Sequence, residues 1–464
     1  MHESRARVKG SPAGRFHCTR RPGPYDVGTR RKPRISAGKL PFMTLLSLQS
    51  ALGLAAIIVL AWALSENRRA SRRSLAVDAA IALALQIGVA LVLLKLPLAR
   101  DALVGLNSVV EALMAATSAG TGFVFGYIGG GAAPFEIVYP QNSFVLAFQA
   151  LPLVLFMSAL SALLWYWRVL PVLTRGFAVL LRKTMGIGGA VGLASAANVF
   201  VGMVEAPLLI KPYLERLSRS ELFAVMTVGL ATVAGTVLFL YASIIAPVVP
   251  GSLGQIVTAS LISLPAALLI ARLMVPEETG RTPTGVGDDV PVVDYENSMD
   301  ALTRGTFEGL HLLLNIIAML LVMVAFVALL NILLALLPDA GDAPLTLQRL
   351  FGWVFAPLVW LMGVPWSEAP AAGQIMGIKT VLNELLAYIA LAGEAGAGLS
   401  ERSRLIMVYA LCGFANPASV GIMIGGLTAM APSRRSEIVE LAPRALISGT
   451  LATSMTGAVI GLIT

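Results

Sequence analysis

The chain has 464 residues, 57% hydrophobic and only 13% charged. A soluble domain carries roughly 25% charged residues, so this chain cannot coat itself for water, which excludes a soluble enzyme, a disordered protein and a nucleic-acid binder. Two cysteines and three histidines exclude a disulfide framework, a cysteine-rich metal site and a zinc cluster. What remains is an all-α polytopic membrane protein.

The formal net charge of +8 is concentrated at the N-terminus: residues 1–42 hold eleven Lys/Arg against Glu3 and Asp26, a net of +9, which leaves residues 43–464 at −1. That stretch is Pro/Gly-rich without apolar periodicity and is predicted to be a disordered basic tail. It lacks the apolar segment and cleavage site of a secretory signal. Met43 stands directly before the first apolar run and is the expected natural start.

A span needs about 20 apolar residues. In chain order, residues 44–64, 76–98, 143–167, 222–248, 253–275, 310–337, 404–431 and 441–463 meet this, which gives eight. Shorter or Gly/Pro-interrupted apolar stretches at 102–128, 176–214 and 345–393 are read as an interfacial helix and two re-entrant hairpins, because irregular backbone at membrane depth must be buried in protein or line a cavity. The expected domains are scaffold spans over 43–175, a first hairpin and broken span over 176–275, an acidic linker over 276–309, and a scaffold span with a second hairpin and broken span over 310–464. Basic residues fix the orientation. Arg68, Arg69, Arg72 and Arg73, then Arg168, Arg175, Arg182, Lys183 and Lys211, then Arg434 and Arg435 fall on one side if eight spans alternate. That side is expected to be cytoplasmic, with both termini extracytoplasmic.

Charge within a membrane segment costs about 2.5–3.5 kcal/mol and is a functional signal by default. Two carboxylates qualify: Glu205 in NVFVGMVEAPLLIKPYL and Glu384 in GIKTVLNELLAYIAL. Each lies in an expected hairpin, and each is followed by a span with a polar break, around Thr232 to Thr236 and around Asn416, Pro417 and Ser419. Hairpin plus broken span, occurring twice, points to an inverted-repeat transporter core in which freed carbonyls and half-helix ends hold a cation or a polar substrate. Lys379 either snorkels or pairs with Glu384. GYIGGGAAPFE lacks the Gly-Lys-Ser/Thr ending of a nucleotide loop.

The sequence resembles the concentrative nucleoside transporter family over most of 100–464. The resemblance is carried by TGFVFGYIGGGAAPFE (121–136), EAPLLIKPYL (205–214), ATVAGTVL (231–238), FAPLVWLMGVPW (355–366), VLNELLAY (381–388), CGFANPASVGIMIGGL (412–427) and LISGTLAT (446–453). It implies a homotrimer in the lipid bilayer of the inner membrane, taking up nucleosides with sodium or protons. It implies a ribose site at Glu384, Asn416 and Ser419 with Phe414 as apolar neighbour. It places the base against the first hairpin, where the family has Gly, Gln, Ser or Thr, and Glu; here these are Gly202, Met203, Val204 and Glu205. The carboxylate is kept and two polar partners are lost, each hydrogen bond being worth about 0.5–1.5 kcal/mol, so the resemblance leaves the base open. The sodium site implied is Asn198, the Val201 backbone, Thr232 and the Val233 backbone; Thr232 stands where the family usually has serine.

The expected activity is thus secondary active symport of nucleosides with sodium, with proton coupling as the alternative. An intramembrane hydrolase would need a nucleophile–base pair at depth, and the spans hold one histidine, His311, at a border. A passive channel would show a continuous polar face, whereas polarity here gathers at hairpins and helix breaks.

Overall fold

The computed structural model describes residues 45–137, 143–187, 189–277, 295–339 and 344–464. The basic tail 1–42, Met43 and the Pro/Gly-rich stretch 279–292 lie outside the described residues. All regular structure among the described residues is helical, as expected of a chain that must satisfy its backbone internally in lipid.

The first helices are α1 (Leu45–Ala63), α2 (Arg68–Lys95) and α3 (Pro97–Phe125). The Asn67 side chain accepts from Arg69 N and Ala70 N and starts α2. The 102–128 stretch, expected to be too broken for a span, instead lies mostly in one continuous 29-residue helix, which with the 3-10 turn Gly126–Gly129 after it is long and apolar enough over Glu111–Gly129 to cross a membrane. The reason is local: its only proline is Pro97, at the first turn, and a helical glycine weakens a helix by about 1 kcal/mol without breaking it. After α4 (Leu146–Gln149) comes α5 (Pro152–Tyr166).

Two sets of elements then follow the same order. The first is α6 (Val169–Met185), α7 (Gly189–Asn198), the short α8 (Glu205–Leu208) and α9 (Lys211–Leu214), the interrupted pair α10 (Arg219–Ala231) and α11 (Gly235–Ile245), and α12 (Ser252–Met274). After α13 (Ser298–Leu334) the second begins: α14 (Leu347–Leu361), α15 (Ala369–Val381), α16 (Glu384–Ala392), the short α17 (Glu394–Ala397), the interrupted pair α18 (Glu401–Leu411) and α19 (Pro417–Met430), and α20 (Arg435–Ile463). Both stretches read as hairpins, 176–214 and 345–393, begin with a separate amphipathic helix, α6 or α14. A glycine in the left-handed region follows each one, Gly186 at φ 62° and Gly363 at φ 105°, so the helix pairs themselves start only at Gly189 and Ala369.

Among the described residues eight helical stretches are long and apolar enough to cross a membrane, the number counted from sequence, but the set differs. Residues 111–129 join it, and 404–431 is split into α18 and α19, neither long enough alone. Helix α13 begins at Ser298, twelve residues before the apolar run and inside the stretch assigned to the acidic linker. Asn297 accepts from Met299 N and Asp300 N, and Asp300 pairs with Arg304 one turn on. Its Gly305 and Gly309 lie on α5, where an added Cβ would stand 2.6 Å from Ala162 Cβ and 2.8 Å from Ser158 Cβ, the close approach small residues allow between membrane helices. Much of the rest of α13, including Leu314, Leu321, Phe326 and Ile332, is exposed, while Leu320 and Val327 are buried. In contrast, α10, α12 and the C-terminal half of α20 are almost wholly buried and form the centre of the molecule, with α1, α2 and α18 packed around them.

Candidate functional site

The polar residues meet where the two interrupted helices stop. Helix α10 ends at Ala231, Thr232 and Ala234 are extended, and α11 resumes at Gly235. Asn198, the last residue of α7, is 3% exposed and donates through Nδ2 to the Val228 carbonyl at 3.2 Å and to Thr232 Oγ1. Thr232 Oγ1 donates to the same carbonyl at 3.0 Å. Asn198 Oδ1 is buried without a partner among the described residues. The Val201 and Val233 carbonyls accept no hydrogen bond from the described residues. Asn198 is thereby joined to Thr232 at the break, with Val233 next in the chain, while no contact places the Val201 carbonyl there. Gly235 is what lets the tip approach: a Cβ there would overlap the Phe200 carbonyl.

The remaining tip residues point elsewhere. Met203 lies on Gly229 of α10, and Val204 lies on Gly426 of α19, where an added Cβ would stand 2.7 Å from a Val204 methyl. Glu205 opens α8, folds its carboxylate over the Cα of Gly202 and remains exposed. The tip therefore leans on both interrupted helices, through Met203 on the first and Val204 on the second.

The second break carries the other carboxylate. Gly413 N donates to Leu411 O, and Asn416 N to Phe414 O, both at 2.8 Å, which gives two tight three-residue turns. Asn416 caps α19 by accepting from Ser419 N at 2.8 Å. Pro417 stands at the first helical position, where its missing N–H costs nothing. The Asn416 amide is also a donor, from Nδ2 to Glu384 Oε2 at 3.0 Å. Asn383 caps α16 and so aims Glu384, in the first turn, at this point. Glu384, Asn416 and Ser419 are thus joined in one buried group, with Phe414 half-buried beside it. Each Glu384 oxygen retains accepting capacity beyond these bonds.

Sequence reasoning missed Tyr241. This α11 residue is 3% exposed, donates to Glu384 Oε1 at 2.6 Å and stacks on Tyr388 with ring centroids 5.1 Å apart. It carries the first set of elements into the second set's carboxylate. The one available signal was a phenol within the apolar run VLFLYASII. Lys379 also departs from both expected roles. It is fully buried, so it does not snorkel, and its ammonium donates to Ala410 O and Thr453 Oγ1, each at 2.7 Å. His311 bonds the Phe307 carbonyl of its own helix through Nδ1.

Three family models match in register: the Na+ dependent nucleoside transporter N-terminus over residues 52–128, the nucleoside recognition Gate over 147–248, and the Na+ dependent nucleoside transporter C-terminus over 255–461. The nucleoside permease NupC of Helicobacter pylori is 36% identical over 421 residues, which is 90% of this chain and 97% of that protein. The chain belongs to the concentrative nucleoside transporter family. Sodium/nucleoside cotransporter 1 of Mus musculus is 34% identical over 374 residues, 77% of this chain and 55% of that longer protein. The solved structure of CNTnw in an inward-facing substrate-bound state matches with a TM-score of 0.81 and 37% identity, over 91% of this chain and all of that one. The family is one of transporters, not enzymes, and this member carries its fold: among the described residues all regular structure is helical, with eight helical stretches long and apolar enough to cross a membrane.

Proposed function

We propose that the protein is a secondary active symporter that imports nucleosides, or nucleoside-like compounds, across the bacterial inner membrane with sodium. The observation that carries this reading is the joined Glu384, Asn416 and Ser419 group at the second break, set beside a first break rich in unbonded oxygens. Ribose hydroxyls both donate and accept; a carboxylate accepts, and an amide and a hydroxyl do both. In this reading Glu384, Asn416 and Ser419 take the ribose, with Phe414 against its apolar side. Glu205, exposed at the end of the first tip, faces the base. Met203 and Val204 supply only apolar contact, so this transporter favours a base with fewer polar edges than a Gln–Thr pair would select.

The first break fits a hard monovalent cation. Such ions take oxygen ligands, and Asn198, Thr232 and the Val201 and Val233 carbonyls provide them. The orphaned Asn198 Oδ1 is the supporting detail, because turning the amide over directs this oxygen to the break; amide oxygen and nitrogen are interchangeable in shape. Filling this site draws the first tip onto α10 and α11, and the nucleoside then bridges the tip and the second break. One charge moved through 100 mV contributes about 2.3 kcal/mol, enough to drive accumulation. The active form is a homotrimer, for which the long exposed apolar face of α13 leaves room, and both termini lie on the extracytoplasmic side. Uptake of uridine and adenosine into proteoliposomes tests the reading. An inward sodium gradient should drive accumulation above equilibrium. Accumulation driven only by a proton gradient would replace sodium, and mere equilibration would remove symport.

A further inference from the structure

The two sets of elements treat their helix breaks alike, with one chemical difference. In the first, a side chain at the end of α7 reaches a carbonyl in the last turn of α10 and a threonine hydroxyl: Asn198 to Val228 O and Thr232 Oγ1. In the second, a side chain two residues before the end of α15 reaches a carbonyl in the last turn of α18 and a threonine hydroxyl: Lys379 to Ala410 O and Thr453 Oγ1. The breaks abut, since a Cβ on Gly413 would stand 2.9 Å from the Ala231 carbonyl oxygen and 2.7 Å from the Thr453 methyl. Helix α20 runs behind both, with Gly449 against Leu230 and Ala415.

At the first break the reaching group is a neutral amide, and oxygens without a hydrogen bond from the described residues remain: Asn198 Oδ1 and the Val201 and Val233 carbonyls. At the second it is a lysine amine, completely buried. Among the described residues it forms no ion pair: Glu384 directs its oxygens to Tyr241 and Asn416 instead. A buried ammonium costs several kcal/mol of desolvation, which a purely structural contact would not require. The last carbonyls of an interrupted helix are unsatisfied and carry partial negative charge, so a cation is what such an end attracts.

We propose that the Lys379 ammonium is a tethered cation. It permanently occupies, at the second break, the place that a mobile coupling cation takes at the first. It clamps the α15–α16 pair to the end of α18 and fixes Asn416 and Glu384 for the nucleoside without a second ion. Lys379 is a positioning residue, and its assignment rests on the preceding proposal only for what the first break binds. The protein should therefore move one free cation per nucleoside.

The test uses the full chain in lipid nanodiscs, with K379S, K379M and T453V. A small amine should fill the hole left by K379S: methylammonium raises the Tm of K379S in a saturable way and leaves the parent and K379M unmoved. K379M, of similar length but uncharged, should bind uridine or adenosine about ten-fold more weakly at fixed salt. K379S should recover affinity with methylammonium, or with raised sodium at a Hill coefficient increased from about one toward two. Parent-like binding by K379M, or no methylammonium effect on K379S, overturns the proposal. If neither lysine variant folds, T453V decides: it keeps the charge but removes one acceptor, and unchanged nucleoside affinity overturns the clamp. A parent that binds nucleoside without any sodium dependence refutes the first-break site alone, and one that binds no nucleoside refutes the transport reading alone. The methylammonium shift still tests Lys379 in both cases.

Discussion

Glu384 is held by two donors on different helices, and that division sets what each one does. Asn416 supplies a donor from the break itself, so it moves whenever the break moves. Tyr241 supplies one from α11 and is braced by Tyr388, whose hydroxyl is tied to the Val408 carbonyl at 2.9 Å. A hydrogen bond to a charged group is worth about 1.5–3 kcal/mol. Tyr241→Phe should accordingly weaken nucleoside binding roughly ten-fold while keeping the fold, as equilibrium binding and a thermal scan on one preparation would show. Glu384→Gln should reduce ribose-dependent uptake by a similar factor or more; unchanged uptake would remove Glu384 from the site. At the first tip, Met203→Gln with Val204→Thr should shift preference toward bases with more polar edges, read by competition across a nucleoside panel. Glu384 and Asn416 were legible in the sequence because a carboxylate and an Asn-Pro pair stand out against an apolar background. Tyr241 was not, because a phenol among aliphatic residues has the same sequence signature whether its hydroxyl is functional or merely packed.

The elements were legible to the degree that their ends are written in side chains. Asn67, Ser218, Asn297, Asn383, Ser400 and Asn416 each cap a helix start with a side-chain acceptor, and the second break was foreseen from Asn416 and Pro417. The amphipathic helices α6 and α14 were absorbed into the hairpins because what separates them is a turn at Gly186 or Gly363, and a glycine in sequence does not declare its φ. The first break, unlike the second, has no proline. It is imposed by packing, with Gly235 under the Phe200 carbonyl and Gly229 under Met203. Gly235→Ala should therefore force the tip off the break. Overpacking costs about 1–3 kcal/mol, and the expected result is a lower Tm together with sodium-dependent binding reduced about ten-fold. A variant that keeps full sodium dependence would show that the tip does not need this close approach.

At the scale of the molecule, one network of charges ties the start of α10 to α20 and to the loop between α1 and α2. Glu66, between α1 and α2, pairs with Arg219 at the start of α10, 2.9 Å away, and with Arg444 of α20. Arg219 reaches Glu440 at 2.7 Å. Arg434 holds Glu437 at 2.6 Å and donates to the carbonyls of Leu214 and Leu217 where the first hairpin exits. Glu66 N donates to the Met274 carbonyl at the end of α12. This network joins the hairpin exit, the interrupted helix and α20, elements far apart in sequence whose adjacency no local pattern could foretell. The Arg219 hydrogen bond and the nearby guanidinium charges hold the Glu66 carboxyl below its ordinary value. A carboxylate depressed in the folded state stabilises it above the unfolded pKa, and that contribution is lost as pH falls through the folded value. The pairs are partly exposed, worth about 0.2–1 kcal/mol each and screened by salt. Stability of the wild type should therefore decline as the pH is lowered from neutral through and below the ordinary carboxylate range. Glu66→Gln should start from a Tm lower by about 1–3 °C at pH 7 and decline less steeply, the two curves converging in acid. Added salt should bring them together at pH 7 as well. Parallel curves at every pH would show that Glu66 acts through the backbone bond to Met274 and not through its charge.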